Sequence, residues 1–147
     1  MSRYHKEKFF SMYMQIAAEA AYQSVSRRRK VGACIVSEEG LIAIGFNGTP
    51  PGADNCCEYE AKTNHIYLPN LETKPEVIHA ERNALDKLAR QDVPTKGAIL
   101  FVTTAPCLEC AELLASVGIR EVYYREVQSN TKGIEFLKKA NVPTFIY

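Results

Sequence analysis

At 147 residues, with 46% apolar and 24% charged residues, the chain has the composition of an ordinary folded domain and enough length for one substantial core. A formal net charge of +1 gives no general basic footprint for nucleic acid, and there is no run of eighteen apolar residues and no signal-like leader. A cytosolic protein without membrane attachment is expected, and its five cysteines, an odd number that includes Cys34 in an apolar stretch, suit a reducing compartment better than a disulfide framework.

Residues 6–24 read as a helix, with Phe10, Tyr13, Ala17 and Ala20 or Ala21 along one side. Residues 31–36 and 41–46 are near-continuous apolar runs separated by Ser37-Glu38-Glu39-Gly40, the pattern of two strands joined by a hairpin loop. Residues 47–76 are polar with little periodicity. A helix then opens at His79, with Ala80, Ala84, Leu85 and Leu88 at three- to four-residue spacing. A strand at 98–102 precedes a helix begun by Pro106, with Ala111 and Leu114 inward and Gly118 just past its end. A strand at 121–124, a helix at 133–140 stopped by Asn141 and Pro143, and a strand at 144–147 complete the chain. No repeat or interdomain linker interrupts this order, so residues 1–147 form one domain. Strands alternating with helices after a hairpin predict a mixed sheet covered by helices on both faces, with parallel later strands and ligands gathered at their carboxyl ends.

The chemistry lies in His79-Ala80-Glu81 and, further on, Pro106-Cys107-Leu108-Glu109-Cys110. A catalytic zinc takes three protein ligands and keeps a position for water. His79, Cys107 and Cys110 supply the three. Glu81, two residues from the histidine, stands where it can move protons to and from that water. Taken alone, Cys-x-x-Cys is as readily a redox pair or half of a structural site. A structural site, however, needs a fourth ligand and has no use for Glu81. Both ligand sets open helices, where free N–H groups and the helix dipole favour thiolates.

The order His-x-Glu…Pro-Cys-x-x-Cys is similar to the signature of zinc deaminases acting on cytosine and adenine. With Arg28-Arg29-Lys30-Val31-Gly32-Ala33, Gly45-Phe46-Asn47-Gly48-Thr49-Pro50-Pro51-Gly52 and Asp54-Asn55-Cys56-Cys57-Glu58, the chain most resembles the deoxycytidylate (dCMP) deaminases in their compact phage and bacterial form. The resemblance runs from about Arg27 to Gly133. It implies a three-layer α/β/α cytidine-deaminase-like sandwich around a five-stranded mixed sheet, one catalytic Zn2+ per subunit, and deamination of dCMP to dUMP and ammonia, supplying dUMP for thymidylate synthesis. It further implies a homo-oligomer, often a hexamer, activated by dCTP and inhibited by dTTP, with Mg2+ accompanying the triphosphate. The setting would be the cytoplasm, or a host's cytoplasm for a phage-encoded chain.

Asn47 follows a strand and carries an amide suited to a sugar hydroxyl, a reading favoured over the plain turn that Asn47-Gly48 also signals. A 5′-phosphate calls for arginine, which directs attention to Arg28, Arg29 and Arg125. By alternation, one of Tyr123 and Tyr124 belongs to the core and the other to the site, and Tyr124 is the expected nucleotide contact. Thr49, Ala80 and the carbonyls of Thr104 and Ala105 join the expected substrate contacts. Ala105 stands where relatives often carry serine or glutamate. His65 is either a phosphate contact or, with Cys56 and Cys57, a ligand of a second zinc. Gly45, Phe46, Gly48 and Arg90 fall where the family places effector contacts, with Phe46 replacing the usual tyrosine. Arg90 is also a simple charge at a helix end.

Rival functions remain at this level: a dual dCTP/dCMP deaminase, a free-base cytosine deaminase, a tRNA adenosine deaminase, or a non-catalytic zinc-stabilised nucleotide sensor. A tRNA enzyme needs a surface that neutralises several phosphates, against which the balanced charge argues. A free base would leave the arginines without a task, and a sensor would not need Glu81.

Overall fold

The computed structural model describes residues 2–61, 70–127 and 130–147. Two single-turn 3-10 segments, Arg3–His5 and Glu7–Phe9, lead into helix α1 (Phe10–Ala21), which is shorter at both ends than its periodicity suggests. His5 accounts for the altered start. It is buried, its Nε2 lies 3.0 and 2.9 Å from the carbonyls of Val36 and Ser37, and Arg120 donates to its Nδ1 at 3.2 Å. The segment before α1 is thereby tied to the sheet.

The sheet has five strands in the order β2-β1-β5-β6-β7: β1 (Gly32–Val36), β2 (Ile42–Phe46), β5 (Ile99–Thr104), β6 (Glu121–Glu126) and β7 (Thr144–Ile146). β1 runs antiparallel to β2 and β5, whereas β5, β6 and β7 are parallel. The mixed sheet and its parallel half therefore stand as expected. A separate antiparallel pair, β3 (Glu58–Ala61) and β4 (Asn70–Thr73), occupies the stretch that shows no periodicity. Glu-Tyr-Glu-Ala and Asn-Leu-Glu-Thr are too short and polar to carry a strand signal. They hold together by pairing with each other.

Helices cover both faces. α1 packs on one face against Cys34, Val36, Ile99, Phe101 and Tyr123. The burial of Cys34 lifts its thiol to about 12, which leaves it chemically quiet. On the other face α2 (Ala80–Arg90), α3 (Leu108–Ser116) and α4 (Lys132–Lys139) enclose the larger cluster, which includes Ala33, Ile35, Leu100, Val102, Val122 and Tyr124. Alternate residues of each central strand go to opposite cores, as pleating requires. Helix ends follow the expected punctuation: Gly118 and Asn141 both take positive φ, 82° and 61°, just beyond α3 and α4. Among the described residues no helix is long and apolar enough to cross a membrane.

Gly45 lets α2 lie directly on β2. A Cβ there would come within 2.2 Å of the Ala80 carbonyl oxygen and 2.6 Å of the Ala84 nitrogen. Both are backbone atoms and cannot swing aside. Gly45→Ala is therefore expected to cost about 1–3 kcal/mol of stability, the usual cost of overpacking. A lower denaturant midpoint at unchanged m would register it.

Candidate active site

His79 and Cys107 are the N-cap residues of α2 and α3, both with extended backbone, and Cys110 lies in the first turn of α3. Two helix starts thus converge, as the sequence suggests. His79 Nδ1 lies 3.3 Å from the Cys110 sulfur and 3.6 Å from that of Cys107, and the three donor atoms fall within 4.8 Å of one another. Zinc bonds of about 2.1 Å to nitrogen and 2.3 Å to sulfur at a tetrahedral angle would separate those atoms by roughly 3.6 Å. The donor set and its spacing fit zinc. Among the described residues no other His, Cys, Asp or Glu group gathers closely enough to hold a metal.

The electrostatics agree with a metal-binding pair. A hydrogen bond from the Cys110 thiol, aided by one from His79, holds Cys107 down at about 4. Cys110 is pushed up because it donates to Cys107 and is buried. His79 is raised, chiefly by its hydrogen bond to Cys107 and, after the opposing effect of burial, by the Glu81 charge. Glu81, only 4% exposed, is raised by burial, with its own backbone N–H and His79 pulling the other way. A carboxyl group raised in this manner suits a group that both takes and returns protons.

His79, Glu81 and Cys107 line a cleft of about 240 Å³ at the carboxyl end of β5. Val31, Val77, Ala80 and Ala105 give it apolar wall, and Asn47, Thr73, Thr104 and Ser26 add polar atoms. Arg28 and Arg29 also border it, and among the described residues neither forms an ion pair. Burial, then the adjacent Arg28 guanidinium, draws Arg29 below its ordinary value, with the Glu126 carboxylate pulling the other way. Two like charges held together in this way favour an anion between them.

Of the expected substrate contacts, Asn47, Ala80, Thr104, Ala105, Arg28 and Arg29 thus meet in one cleft. The Asn47 amide is already engaged: Oδ1 accepts from the Val31 N–H at 2.9 Å and Nδ2 donates to the Arg29 carbonyl at 2.8 Å. One amide hydrogen remains for a ligand.

Three expectations place differently, and a fourth falls outside the described residues. Tyr124 is 7% exposed and packed in the larger core, while Tyr123 is buried under α1. Both sheet faces are covered there, so alternation sends neither ring to the cleft. Arg125 borders a different recess, with Lys30, Thr103, Tyr22 and Glu126, because it falls on the opposite side of β6 from Tyr124. Thr49 is half-buried on the loop after β2 and is not part of the cleft wall. His65 lies outside the described residues. Of its suggested partners, Cys56 donates to the Glu58 carbonyl at 3.0 Å and Cys57 is buried.

Three of the four residues expected at an effector site have structural contacts. Gly45 admits α2. Gly48 exchanges two backbone hydrogen bonds with Ile78, the residue before His79, at 3.1 and 2.8 Å. Phe46 lies beneath the Lys87 ammonium, 5.8 Å from its ring centre, and Arg90 is exposed as the last residue of α2. Sequence reasoning missed Ser26, Thr73 and Val77 in the wall, and Glu58 behind it. None belongs to a periodic pattern, and Glu58 stood only within a matched motif without a role.

Residues 7–126 match the family model described as the cytidine and deoxycytidylate deaminase zinc-binding region. The deoxycytidylate deaminase of Mycobacterium phage D29 is 35% identical over 130 residues, covering 84% of this chain and 97% of that protein. The deoxycytidylate deaminase of Schizosaccharomyces pombe is 39% identical over 116 residues, which are 78% of this chain but 36% of the yeast protein. The chain thus spans nearly all of the phage relative and little more than a third of the yeast one. The crystal structure of dCMP deaminase from cyanophage S-TIM5 in complex with dCMP and dUMP is similar with a TM-score of 0.86 and 38% identity, covering 97% of this chain and 98% of that one.

Proposed function

The chain belongs to the cytidine and deoxycytidylate deaminase family, and from that membership we propose that it hydrolyses dCMP to dUMP with release of ammonia. One observation carries the substrate: the buried Glu81, His79, Cys107, Arg28 and Arg29 border a single cleft, and the Cys110 sulfur lies within 4.8 Å of the His79 and Cys107 donor atoms. The cleft can seat a planar pyrimidine ring beside the carboxyl group and a phosphate near Arg28 and Arg29.

His79, Cys107 and Cys110 would hold the zinc. When bound, zinc supplies a water acidic enough to attack at neutral pH. Glu81 accepts one proton of the attacking water and delivers it to N3 of the cytosine ring, then takes the second proton from the newly added hydroxyl and passes it to the amine, which leaves as ammonia while the C4 carbonyl forms. Its burial keeps bulk water from competing for those protons. The carbonyls of Thr104 and Ala105 receive the amine hydrogens. Asn47 directs its remaining N–H at the sugar, and Val31, Val77 and Ala80 enclose the base. Arg28 and Arg29 bind the 5′-phosphate with charge-assisted hydrogen bonds.

On this reading the product supplies thymidylate synthesis. The enzyme works as a homo-oligomer of the hexameric type, activated by dCTP and inhibited by dTTP with Mg2+ on the triphosphate. The test is a deamination screen of dCMP, dCTP, CMP, deoxycytidine and cytosine, each with and without dCTP or dTTP. dCMP is expected to lead. Arg29→Ala should raise KM for dCMP about 10- to 100-fold, the loss of one or two charged hydrogen bonds. A preference for deoxycytidine over dCMP would overturn the substrate assignment.

A further inference from the structure

We propose that Glu58 is a positioning residue for the nucleotide phosphate: its buried carboxylate fixes the turn at residues 26–29 so that Arg28 and Arg29 face one anion. The inference rests on the proposed phosphate role of those arginines. It concerns a residue that is not itself in the cleft wall.

Residues 27–30 lie in no helix or strand and follow α1 with only a few residues between. Their guanidinium neighbours repel, and no ion pair among the described residues steadies Arg28 or Arg29. Such a segment would splay unless its backbone were held. Glu58, in β3 and 3% exposed, holds it. One carboxylate oxygen accepts three bonds: from the Ser26 hydroxyl at 2.5 Å, from the Arg27 N–H at 2.8 Å and from the Arg28 N–H at 3.0 Å. Ser26 Oγ in turn accepts the Arg29 N–H at 3.4 Å. Every backbone donor from Arg27 to Arg29 is therefore drawn, directly or through Ser26, to one charge.

The far side of the turn is clamped independently by the Asn47 amide on the Arg29 carbonyl and the Val31 N–H. The arginine pair thus sits between two fixed points, one from the strand edge after β2 and one from β3. Consecutive backbone N–H groups turned toward a carboxylate make a strong clamp, because bonds to an ionised acceptor are about twice as strong as neutral ones. Burial raises Glu58, and the bonds from Arg28, Ser26 and Arg27 outweigh it, so the group is lowered and stays ionised. All the donors to this carboxylate among the described residues come from Ser26, Arg27 and Arg28, and its second oxygen is buried without one.

The test compares Glu58→Gln and Ser26→Ala with wild type, measuring kcat and KM for dCMP, the inhibition constant of deoxycytidine against dCMP, and zinc content. Glu58→Gln should raise KM for dCMP about 10-fold, with kcat changed less than 2-fold, and with zinc content and the deoxycytidine constant unaltered. Ser26→Ala, which removes one leg of the clamp, should give a smaller rise of the same kind. An equal weakening of dCMP and deoxycytidine, or no change in either, would overturn the proposal, since a general structural role does not discriminate between them. If wild type itself fails to act on dCMP, the substrate assignment falls first. If wild type acts on dCMP and both variants match it, only the role of Glu58 falls.

Discussion

Glu81→Gln is expected to abolish deamination, with kcat falling at least about 10³-fold, while zinc content stays near one per chain. A single general acid–base contributes about 10²–10⁴-fold, and Glu81 is assigned successive proton transfers within one turnover. Glutamine keeps the shape and hydrogen-bonding reach but cannot carry a proton. It also leaves His79, Cys107 and Cys110 untouched, so elemental analysis should find the metal in place. The stability of the metal-stripped protein should move the other way. Glu81 has its folded-state value raised by burial, so the folded form prefers it protonated. Its contribution is fully favourable below the unfolded carboxyl value and is lost as pH rises through the raised one. The amide has no charge to bury, so above that window the variant should melt at a higher temperature than wild type, and below it the gap should close. Turnover surviving in Glu81→Gln would remove the catalytic assignment. A variant that loses zinc along with activity would instead make Glu81 part of the metal's support.

The second large effect is expected at Gly133, far from the ligands in sequence. A Cβ on this residue in the first turn of α4 would come within 2.0 Å of the Pro106 carbonyl oxygen and 2.9 Å of the Cys107 carbonyl carbon and oxygen. α4 cannot retreat, because Ile134 and Leu137 are sunk in the same core as Ala111 and Leu114 of α3. The strain of Gly133→Ala therefore falls on the Pro106–Cys107 segment, which caps α3 and carries a metal ligand. Metal sites tolerate only a few tenths of an ångström in ligand position, and a shift of about 1 Å at a reacting centre costs roughly 10²-fold in rate. Gly133→Ala should weaken zinc binding and lower activity at limiting zinc by about that factor, with part of the rate restored by excess zinc. Stability should fall by about 1–3 kcal/mol. Zinc affinity and kcat both equal to wild type would mean that the loop yields without moving Cys107.

The strands and helices were legible wherever one face is apolar at a regular period. The paired runs before and after Ser37-Glu38-Glu39-Gly40 became β1 and β2, and the spaced residues after His79 became the buried side of α2. The metal centre was legible as well, since its ligands lie at two helix starts whose signals span only a few residues. The β3–β4 pair was not, because two short polar strands stabilise each other without a periodic imprint. Tyr124 misled for a different reason. Alternation specifies which residues share a face, but not whether that face meets solvent or helices, and here helices cover both. Arg125 followed the same error onto the opposite side of β6. Gly45 and Gly48 were legible as special positions but not in their purpose, which depends on how closely α2 and Ile78 approach.

By itself the sequence determined that His79, Cys107 and Cys110 belong together beside Glu81 and in what succession the main strands and helices follow along the chain, because side-chain chemistry and helix starts are encoded within a few neighbouring residues. Only the tertiary structure decided which cations share the cleft with Glu81, and that Glu58, some thirty positions away along the chain, anchors the turn bearing them. Those assignments arise from burial and from hydrogen bonds between distant segments, and neither property belongs to a stretch of chain until the whole has packed.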